Sequence, residues 1–225
     1  MSENRKKWTA YFLELLVVII GISIAFALEN WNESKKRTEN EVNYLSSLKT
    51  DIEEDVTEIQ TIMDSSEVLI ENISTLFGLL YRPEAGEQIQ IHHVTSTYTA
   101  PYFNAKDGTF TSLLNSGALG IIENYQLKSQ ISNLYNVHYD ELERLDEFVK
   151  NLVNTQIYPY MLAEIQFNPN GQGIMATAPL MTVKSINLIG SYWNFLRKRN
   201  DEYQRVKDQC EKVLQEIELE LKRLD

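Results

Sequence analysis

One acidic side chain lies within the most apolar stretch of this sequence. Glu14 is the only ionisable residue between Trp8 and Leu28. An ionised carboxylate inside a bilayer costs several kcal/mol, so such groups pair with a cation, take up a proton or face protein. Three roles therefore stay open for Glu14: pairing with Lys6, Lys7 or lipid headgroups, contact with a second membrane helix, or a place in a proton or ion path.

Small residues follow this acidic residue at helical spacing. Gly21 lies seven residues, or two helical turns, after Glu14, and Ala25 lies four residues after Gly21. Small side chains let two helices approach closely in lipid. Ser23 and Ala27 repeat the four-residue spacing. We therefore predict that Glu14, Gly21 and Ala25 form a face through which membrane helices associate.

The histidines and the acidic cluster do not form a recognisable metal site. His92 and His93 are adjacent, so their rings are expected on different sides of a helix or strand, and no carboxylate pattern completes a site. His138 lies on an apolar helical stripe, where a hydrogen-bonded core residue is expected and a pH switch is the alternative. One straight helix suits a cation poorly, so its acidic residues are expected to form a solvated face. They are Asp51, Glu53, Glu54, Asp55 and Glu58.

No catalytic pattern is recognisable. The sequence has no nucleophile elbow, phosphate-binding glycine loop or pair of catalytic carboxylates. The formal net charge of −11 argues against a nucleic-acid partner, which would require a basic surface. Cys210 is the single cysteine, so no internal disulfide forms. We therefore predict that the protein is not an enzyme and has no catalytic residue, metal or cofactor.

The element that must position the acidic residue is an apolar helix. At ~1.5 Å per residue, residues 11–31 span about 30 Å, the thickness of a bilayer's hydrocarbon layer. Aromatic residues prefer the headgroup level, which makes Trp8, Tyr11 and Trp31 the predicted interface anchors. The lipid bilayer is thus the first predicted partner.

Charged residues flank this helix on both sides. The basic clusters at 5–7 and 35–37 are equal in size, so their count alone does not orient the helix. The first cluster is nearer the apolar run. We therefore predict a cytoplasmic arm at 1–10 and a periplasmic domain at 32–225, anchored in the inner membrane by one span. Ala25-Phe26-Ala27 resembles a cleavage site, so a signal peptide is the alternative.

The remaining chain has helical periodicity. Apolar residues recur at heptad spacing from Leu45 to Leu80, and long helices are predicted at 123–158, where Pro159 breaks or kinks the helix, and at 185–224. No glycine or proline lies between residues 22 and 77, so the membrane helix is expected to continue into the domain. The predicted fold is all-α, with an N-terminal transmembrane helix continuing into an elongated antiparallel bundle of about four helices.

Three local features are less regular. A hinge is conceivable at residues 30–34, where cap-type residues cluster. Residues 87–100 are compatible with a short helix or an extended segment. A short helix at 109–116 is expected to end with Gly117 in the left-handed conformation.

Two sequence blocks resemble a known family. LELLVVIIGISIAFALENWNESKK and FNAKDGTFTSLLNSGALGIIENYQLKSQISNLY are similar to the anchor and the middle block of domain-of-unknown-function family 6090, a family of bacterial single-span proteins. The sequence departs at Leu13, where the family usually has glycine, and at Glu29, where it often has asparagine. The resemblance implies the anchored architecture and a structural motif at Gly108, Ser116 and Gly117, but no activity. The matching positions are Glu14, Asn30, Trp31, Asn32, Gly108, Ser116, Gly117 and Leu127.

These features favour a structural role. The expected function is a membrane-anchored interaction module or accessory subunit of an envelope assembly, which associates with itself or with another membrane protein. A periplasmic sensor that binds a ligand in the bundle is the alternative. A small oligomeric channel built around Glu14 is the third possibility.

Overall fold

The structure is a computed structural model. It describes residues 2–82, 88–170 and 173–224, with side chains from Phe12 onward. Within these ranges there is no β-strand, and only an isolated bridge joins Phe167 to Ile174. The predicted all-α class is confirmed. The α-helices are α1 (Ser2–Leu80), α2 (Ile91–Thr95), α3 (Gly108–Asn115), α4 (Tyr125–Asn133), α5 (Asp140–Leu152), α6 (Tyr158–Glu164) and α7 (Val183–Leu224).

Helix α1 is one uninterrupted helix of 79 residues. It passes through residues 30–34 without a break, so no hinge forms there. Asparagine and serine inside a helix cost only tenths of a kcal/mol each, and no proline removes a hydrogen bond. The apolar segment, defined as residues 12–31, and the bundle therefore share one continuous helix.

The heptad stripe of α1 forms the centre of the bundle. All predicted stripe positions from Leu45 to Leu80 are buried. The middle run, defined as the helical residues 125–164, packs through 127–142 against residues 45–63 of α1 and through 149–161 against residues 69–80. Helix α7 packs through 203–217 against the first of these two stretches of α1 and through 189–196 against the second. The middle run is therefore parallel to α1, and α7 is antiparallel to both. The bundle has three long helical elements, and shorter ones occupy the fourth side.

The middle run differs from the predicted helix at 123–158. Residues 125–164 are helical without interruption, with π turns at Leu134–Tyr139 and Val153–Ile157. Of the two effects predicted for Pro159, a break does not occur, because α6 continues to Glu164. Pro159 lies in the first turn of α6, directly after a π turn, where its missing N–H costs little.

The segment between α1 and α4 returns along the bundle. Helix α2 shows that the ambiguous residues 87–100 contain a short helix, although residue 87 lies outside the described part. Helix α3 is followed by Gly117, whose φ of 68° confirms the predicted left-handed conformation. A 3-10 helix, Ala118–Ile121, then leads to α4.

Candidate functional site

The apolar segment contains the predicted association face. It belongs to a helix that is long and apolar enough to cross a membrane, with a most apolar window of mean hydropathy 2.4. Glu14, Gly21 and Ala25 are exposed, and no atom outside the helix backbone lies within 4 Å of a Cβ built on Gly21. The face is therefore free to contact lipid or a second helix. Trp31 is exposed at the end of this segment, and the side chains of Trp8 and Tyr11 lie outside the described part.

Six residues beyond Trp31, the base of the bundle is fastened to α1. Arg37 Nη2 donates to the Gly120 carbonyl oxygen at 3.3 Å, and its Nε lies 3.3 Å from Glu123 Oε1. One turn later, Glu41 Oε1 accepts from the Glu123 backbone N–H at 2.8 Å. Glu41 is buried, and desolvation raises the pKa of its carboxyl. These contacts join the bundle to the helix at the edge of the apolar segment.

The predicted structural motif shapes this connection. Gly108 begins α3, and Ser116 Oγ donates to the Ser112 carbonyl oxygen at 2.7 Å as α3 ends. Gly117 then adopts the left-handed conformation, and the chain continues through the 3-10 helix to α4. Helix α4 is capped by Asn124, whose Oδ1 accepts from the Leu127 N–H at 3.2 Å. The motif therefore acts through backbone geometry.

Asn124 also connects α4 to the end of α7. Its Nδ2 donates to Glu220 Oε2 at 2.8 Å, and Arg223 Nε donates to Glu220 Oε1 at 3.0 Å. Glu220 is buried, yet the hydrogen bond from Arg223 is the largest influence on its carboxyl and holds its pKa low. The base of the bundle is therefore closed by charged hydrogen bonds.

The acidic cluster on α1 is not the solvated face that was predicted. Asp55 is fully buried, and its Oδ1 accepts from the Lys106 backbone N–H at 2.8 Å. Glu58 accepts from the Asn104 N–H at 3.2 Å and from Lys106 Nζ at 2.7 Å. Burial raises the pKa of Asp55 to about 6. These two carboxylates hold the loop at residues 101–107 against α1, while Glu53 and Glu54 remain exposed.

A buried ion pair at the centre of the bundle was not predicted. Arg199 and Asp146 are 1% and 5% exposed, and Arg199 Nη1 lies 3.2 Å from Asp146 Oδ1. The guanidinium also donates to the Pro101 carbonyl oxygen at 2.7 Å and to Ser66 Oγ at 2.9 Å. Four parts of the chain therefore meet at one side chain.

The second carboxylate oxygen of Asp146 accepts two further hydrogen bonds. Asp146 Oδ2 accepts from the Tyr203 hydroxyl and from the Phe103 N–H, the latter at 2.9 Å. Desolvation raises the pKa of Asp146, and the donors oppose that rise. A sequence signal existed: Asp146 and Arg199 occupy core-facing positions on the stripes of α5 and α7, where an unpaired charge would be costly.

The histidines serve local structure. His93 Nδ1 accepts from the Gln90 N–H at 3.1 Å, which caps α2. His93 is buried and His92 is exposed, as expected for adjacent residues on a helix, although their ring centroids are 4.1 Å apart. His138 is half-buried instead of being a core residue, and its Nε2 lies 3.1 Å from the Asn133 amide nitrogen. No group of three potential metal-ligating residues occurs in the part of the chain with described side chains.

An aromatic cavity lies beside the loop at residues 101–107. Its volume is about 320 Å³. The walls come from this loop, from α3 and from the first π turn with the start of α5. Phe103, Phe110, Tyr135 and Tyr139 contribute mostly buried rings, and three carboxylates lie around them. No pattern in the sequence indicates this cavity, because its walls come from different elements of the chain.

Comparison with known proteins identifies the family. No curated protein and no solved structure matches the chain. A model of a family of unknown function, DUF6090, matches residues 14–166, which are more than half of the chain. The match begins in the apolar segment and ends just after α6, so it includes Arg37, Glu41 and the residues around the cavity but not α7. The chain therefore belongs to the DUF6090 family of unknown function.

Proposed function

We propose that this protein is a membrane-anchored interaction module, without catalytic activity, whose apolar segment associates with a second copy or with another membrane protein. The observation that carries the proposal is the continuity of α1. One unbroken helix exposes residues 12–31 on all sides and then supplies the central stripe of the bundle from Leu45 onward.

The exposure of the apolar segment supports a membrane location. Burying apolar surface away from water contributes roughly 25 cal/mol per Å², and in the described chain this segment packs against nothing. Lipid would cover it. We place the segment in the inner membrane as a single span, with residues 1–10 cytoplasmic and residues 32–225 periplasmic.

The contacts at the base of the bundle would fix the position of the bundle relative to the apolar segment. Arg37 and Glu41 attach the bundle within three turns of Trp31, and α1 has no hinge there. Contacts between membrane helices through Glu14, Gly21 and Ala25 would therefore hold two bundles in a defined relative position. This is the behaviour expected of a scaffold or an accessory subunit.

The mass of the full chain in a mild detergent tests this proposal. Light scattering after gel filtration should give a defined oligomer, or a complex with a co-purifying membrane protein. Gly21→Ile should shift the distribution toward the monomer, because a branched side chain prevents close helix approach. The matched control is Ser23→Ile, which introduces the same side chain on the opposite side of the helix, about 200° away at 100° per residue.

Two results would contradict the proposal. A strict monomer with no co-purifying chain removes association altogether. Dissociation by Ser23→Ile but not by Gly21→Ile shows that the Glu14 face has been assigned to the wrong side.

Ligand binding by the bundle is the second candidate function, and the aromatic cavity favours it. A bundle that served only as a spacer would need no opening of about 320 Å³ between the loop at residues 101–107, α3 and the first π turn. Cavities of this size lie at the lower end of the range that binds small molecules. Ligand occupancy in the bundle and association in the membrane are compatible with each other.

A further inference from the structure

We propose that the aromatic cavity binds a small organic cation with an apolar or aromatic body, held by aromatic rings and by the carboxylates of Asp107 and Glu143. This inference rests on the second candidate function and is independent of association through the apolar segment. The argument depends on the rings, on their hydroxyl groups and on the charges around the opening.

Four aromatic rings contact one another in series along the cavity. Phe110 and Tyr135 are stacked with centroids 4.4 Å apart, and Tyr135 meets Tyr139 edge to face at 5.1 Å. Phe103 meets Tyr139 at 5.1 Å, also edge to face. Rings packed in this way are rigid, and an aromatic surface attracts a cation through its quadrupole.

The two tyrosine hydroxyls are occupied inside the protein. The Tyr135 hydroxyl donates to the Lys106 carbonyl oxygen at 3.4 Å, and the Tyr139 hydroxyl lies 3.4 Å from Cys210 Sγ. The polar ends of these rings are therefore not available to a ligand, and the exposed fraction of the two residues is small, 7% for Tyr135 and 5% for Tyr139. The rings also belong to a π turn, a helix irregularity that is frequent at functional sites.

The opening is negatively charged. Asp107, Asp140 and Glu143 line it, and none of its described lining residues is Lys, Arg or His. Arg144 neutralises Asp140 at 2.7 Å, which leaves the carboxylates of Asp107 and Glu143. An anionic ligand would be repelled here, and a cationic one would be attracted.

Charges behind the rings act in the same direction. Lys106, the nearest lysine on the loop, is paired with Glu58 at 2.7 Å. Burial first, and then the negative charges of Asp55, Asp51 and Asp107, raise the pKa of Tyr135. The wall of the cavity therefore lies in a negative field, which favours a cation over an anion or a neutral molecule of the same shape.

Isothermal titration of the full chain in zwitterionic lipid nanodiscs tests this assignment with three probes of similar shape. The probes are tyramine, which is cationic, 4-ethylphenol, which is neutral, and 4-hydroxyphenylacetate, which is anionic. We expect tyramine to bind at least about tenfold more tightly than 4-ethylphenol, and we expect no binding of the anion.

Variants locate the binding. The double variant Asp107→Asn with Glu143→Gln removes both charges with little change in shape and should weaken tyramine binding at least about tenfold. Glu147→Gln is the matched control, since Glu147 is exposed one turn further along α5 and does not line the cavity. It should bind tyramine as the parent does, and circular dichroism should show that all variants are folded.

The possible failures are distinguishable. Equal binding of tyramine and 4-ethylphenol overturns the cation assignment and retains ligand binding by the bundle. Tyramine binding that the double variant does not weaken places the ligand elsewhere and overturns this site. Absence of binding by all three probes overturns both the site and the second candidate function.

Discussion

Charged residues inside the bundle determine how the loop at residues 101–107 is held. Arg199 and Asp146 bind the backbone at Pro101 and Phe103, and Asp55 binds the backbone at Lys106. Each of these charged side chains takes the place of a water molecule as the hydrogen-bond partner of a backbone group in the loop. A buried backbone group without a partner is costly, so the charges specify the position of the loop.

Removing the cation from the central ion pair should strongly destabilise the protein. Arg199→Met leaves the Asp146 carboxylate buried without its ion partner, and such a loss costs about 3–5 kcal/mol. Urea denaturation of the full chain measures this change, and hydrogen exchange at the Phe103 amide should accelerate because its acceptor is disturbed. Arg144→Met is the matched control in an exposed ion pair and should change stability by less than about 1 kcal/mol. Equal effects of the two substitutions would contradict the assigned role of Arg199.

Asp55 should make stability depend on pH. Its pKa of about 6 in the folded state is above the ordinary value of 3.8, so the folded protein binds this proton more tightly than the unfolded chain does. The stabilisation from this proton is fully present below about pH 4 and is lost as the pH rises through about 6. Asp55→Asn removes the titration. The free energy of unfolding of the variant, relative to that of the parent, should therefore increase by about 1–3 kcal/mol as the pH rises over this interval.

Denaturation of both proteins at several pH values measures this difference. Subtracting the two curves cancels the contributions of other groups, such as Glu41 and Asp146. Glu54→Gln is the control at an exposed position on the same helix. A constant difference between Asp55→Asn and the parent from about pH 4 to about pH 7 would show that Asp55 does not titrate in this range.

At the scale of elements, local backbone geometry decides where helices end and where they continue. Gly117 ends one short helix because it adopts a positive φ. Pro159 does not end the middle run, because the π turn before it places the proline in a first turn. Among the described residues, Gly173 is the other glycine with a positive φ, and a Cβ built on it would meet the backbone of Ile89, just before α2.

Gly173 should be the least replaceable glycine of the described chain. Its φ is +74°, and a Cβ there would collide with the Ile89 carbonyl oxygen. Gly173→Ala should therefore cost about 2–4 kcal/mol, from the strained conformation and the clash together. Gly190→Ala is the opposite case, because Gly190 lies inside α7 with no atom near its Cβ position. It should stabilise the protein by about 0.5–1 kcal/mol. Thermal denaturation compares the two, and a neutral effect of Gly173→Ala would contradict the described turn.

The whole molecule depends on a helix outside the region matched by the family model. Helix α7 contributes Arg199 and Tyr203 to the central network and fills both core clusters. The matched residues 14–166 leave these cores open on one side. The folding unit is therefore longer than the matched region.

Truncation tests this dependence on α7. A chain ending after residue 166 should lack cooperative unfolding and should be digested quickly by protease, because its apolar stripes are exposed. Adding the peptide 183–224 should restore protection, since α7 supplies the missing core surface. Cooperative unfolding of the truncated chain near the midpoint of the full chain would show that α7 is dispensable.

Periodicity and hydropathy in the sequence were sufficient for the long helices, the apolar segment and the buried stripe from Leu45 to Leu80, and the glycine after a short helix indicated the left-handed conformation of Gly117. These features depend on residues close together in the chain, so they can be recognised within a single helix or turn without knowing what it packs against. The sequence also contained charges at core-facing positions, such as Asp55. It did not indicate what they bind.

Only the tertiary structure decided those partners. Asp146 and Arg199 are 53 residues apart, and the Phe103 N–H meets the Tyr203 hydroxyl across 100 residues. The cavity likewise needs the loop, α3 and a π turn in one place. Contacts of this kind depend on the direction and register of packed helices, which the pattern along one helix does not specify. Helical periodicity therefore determined the elements of this protein, and their packing determined its buried network and its candidate binding site.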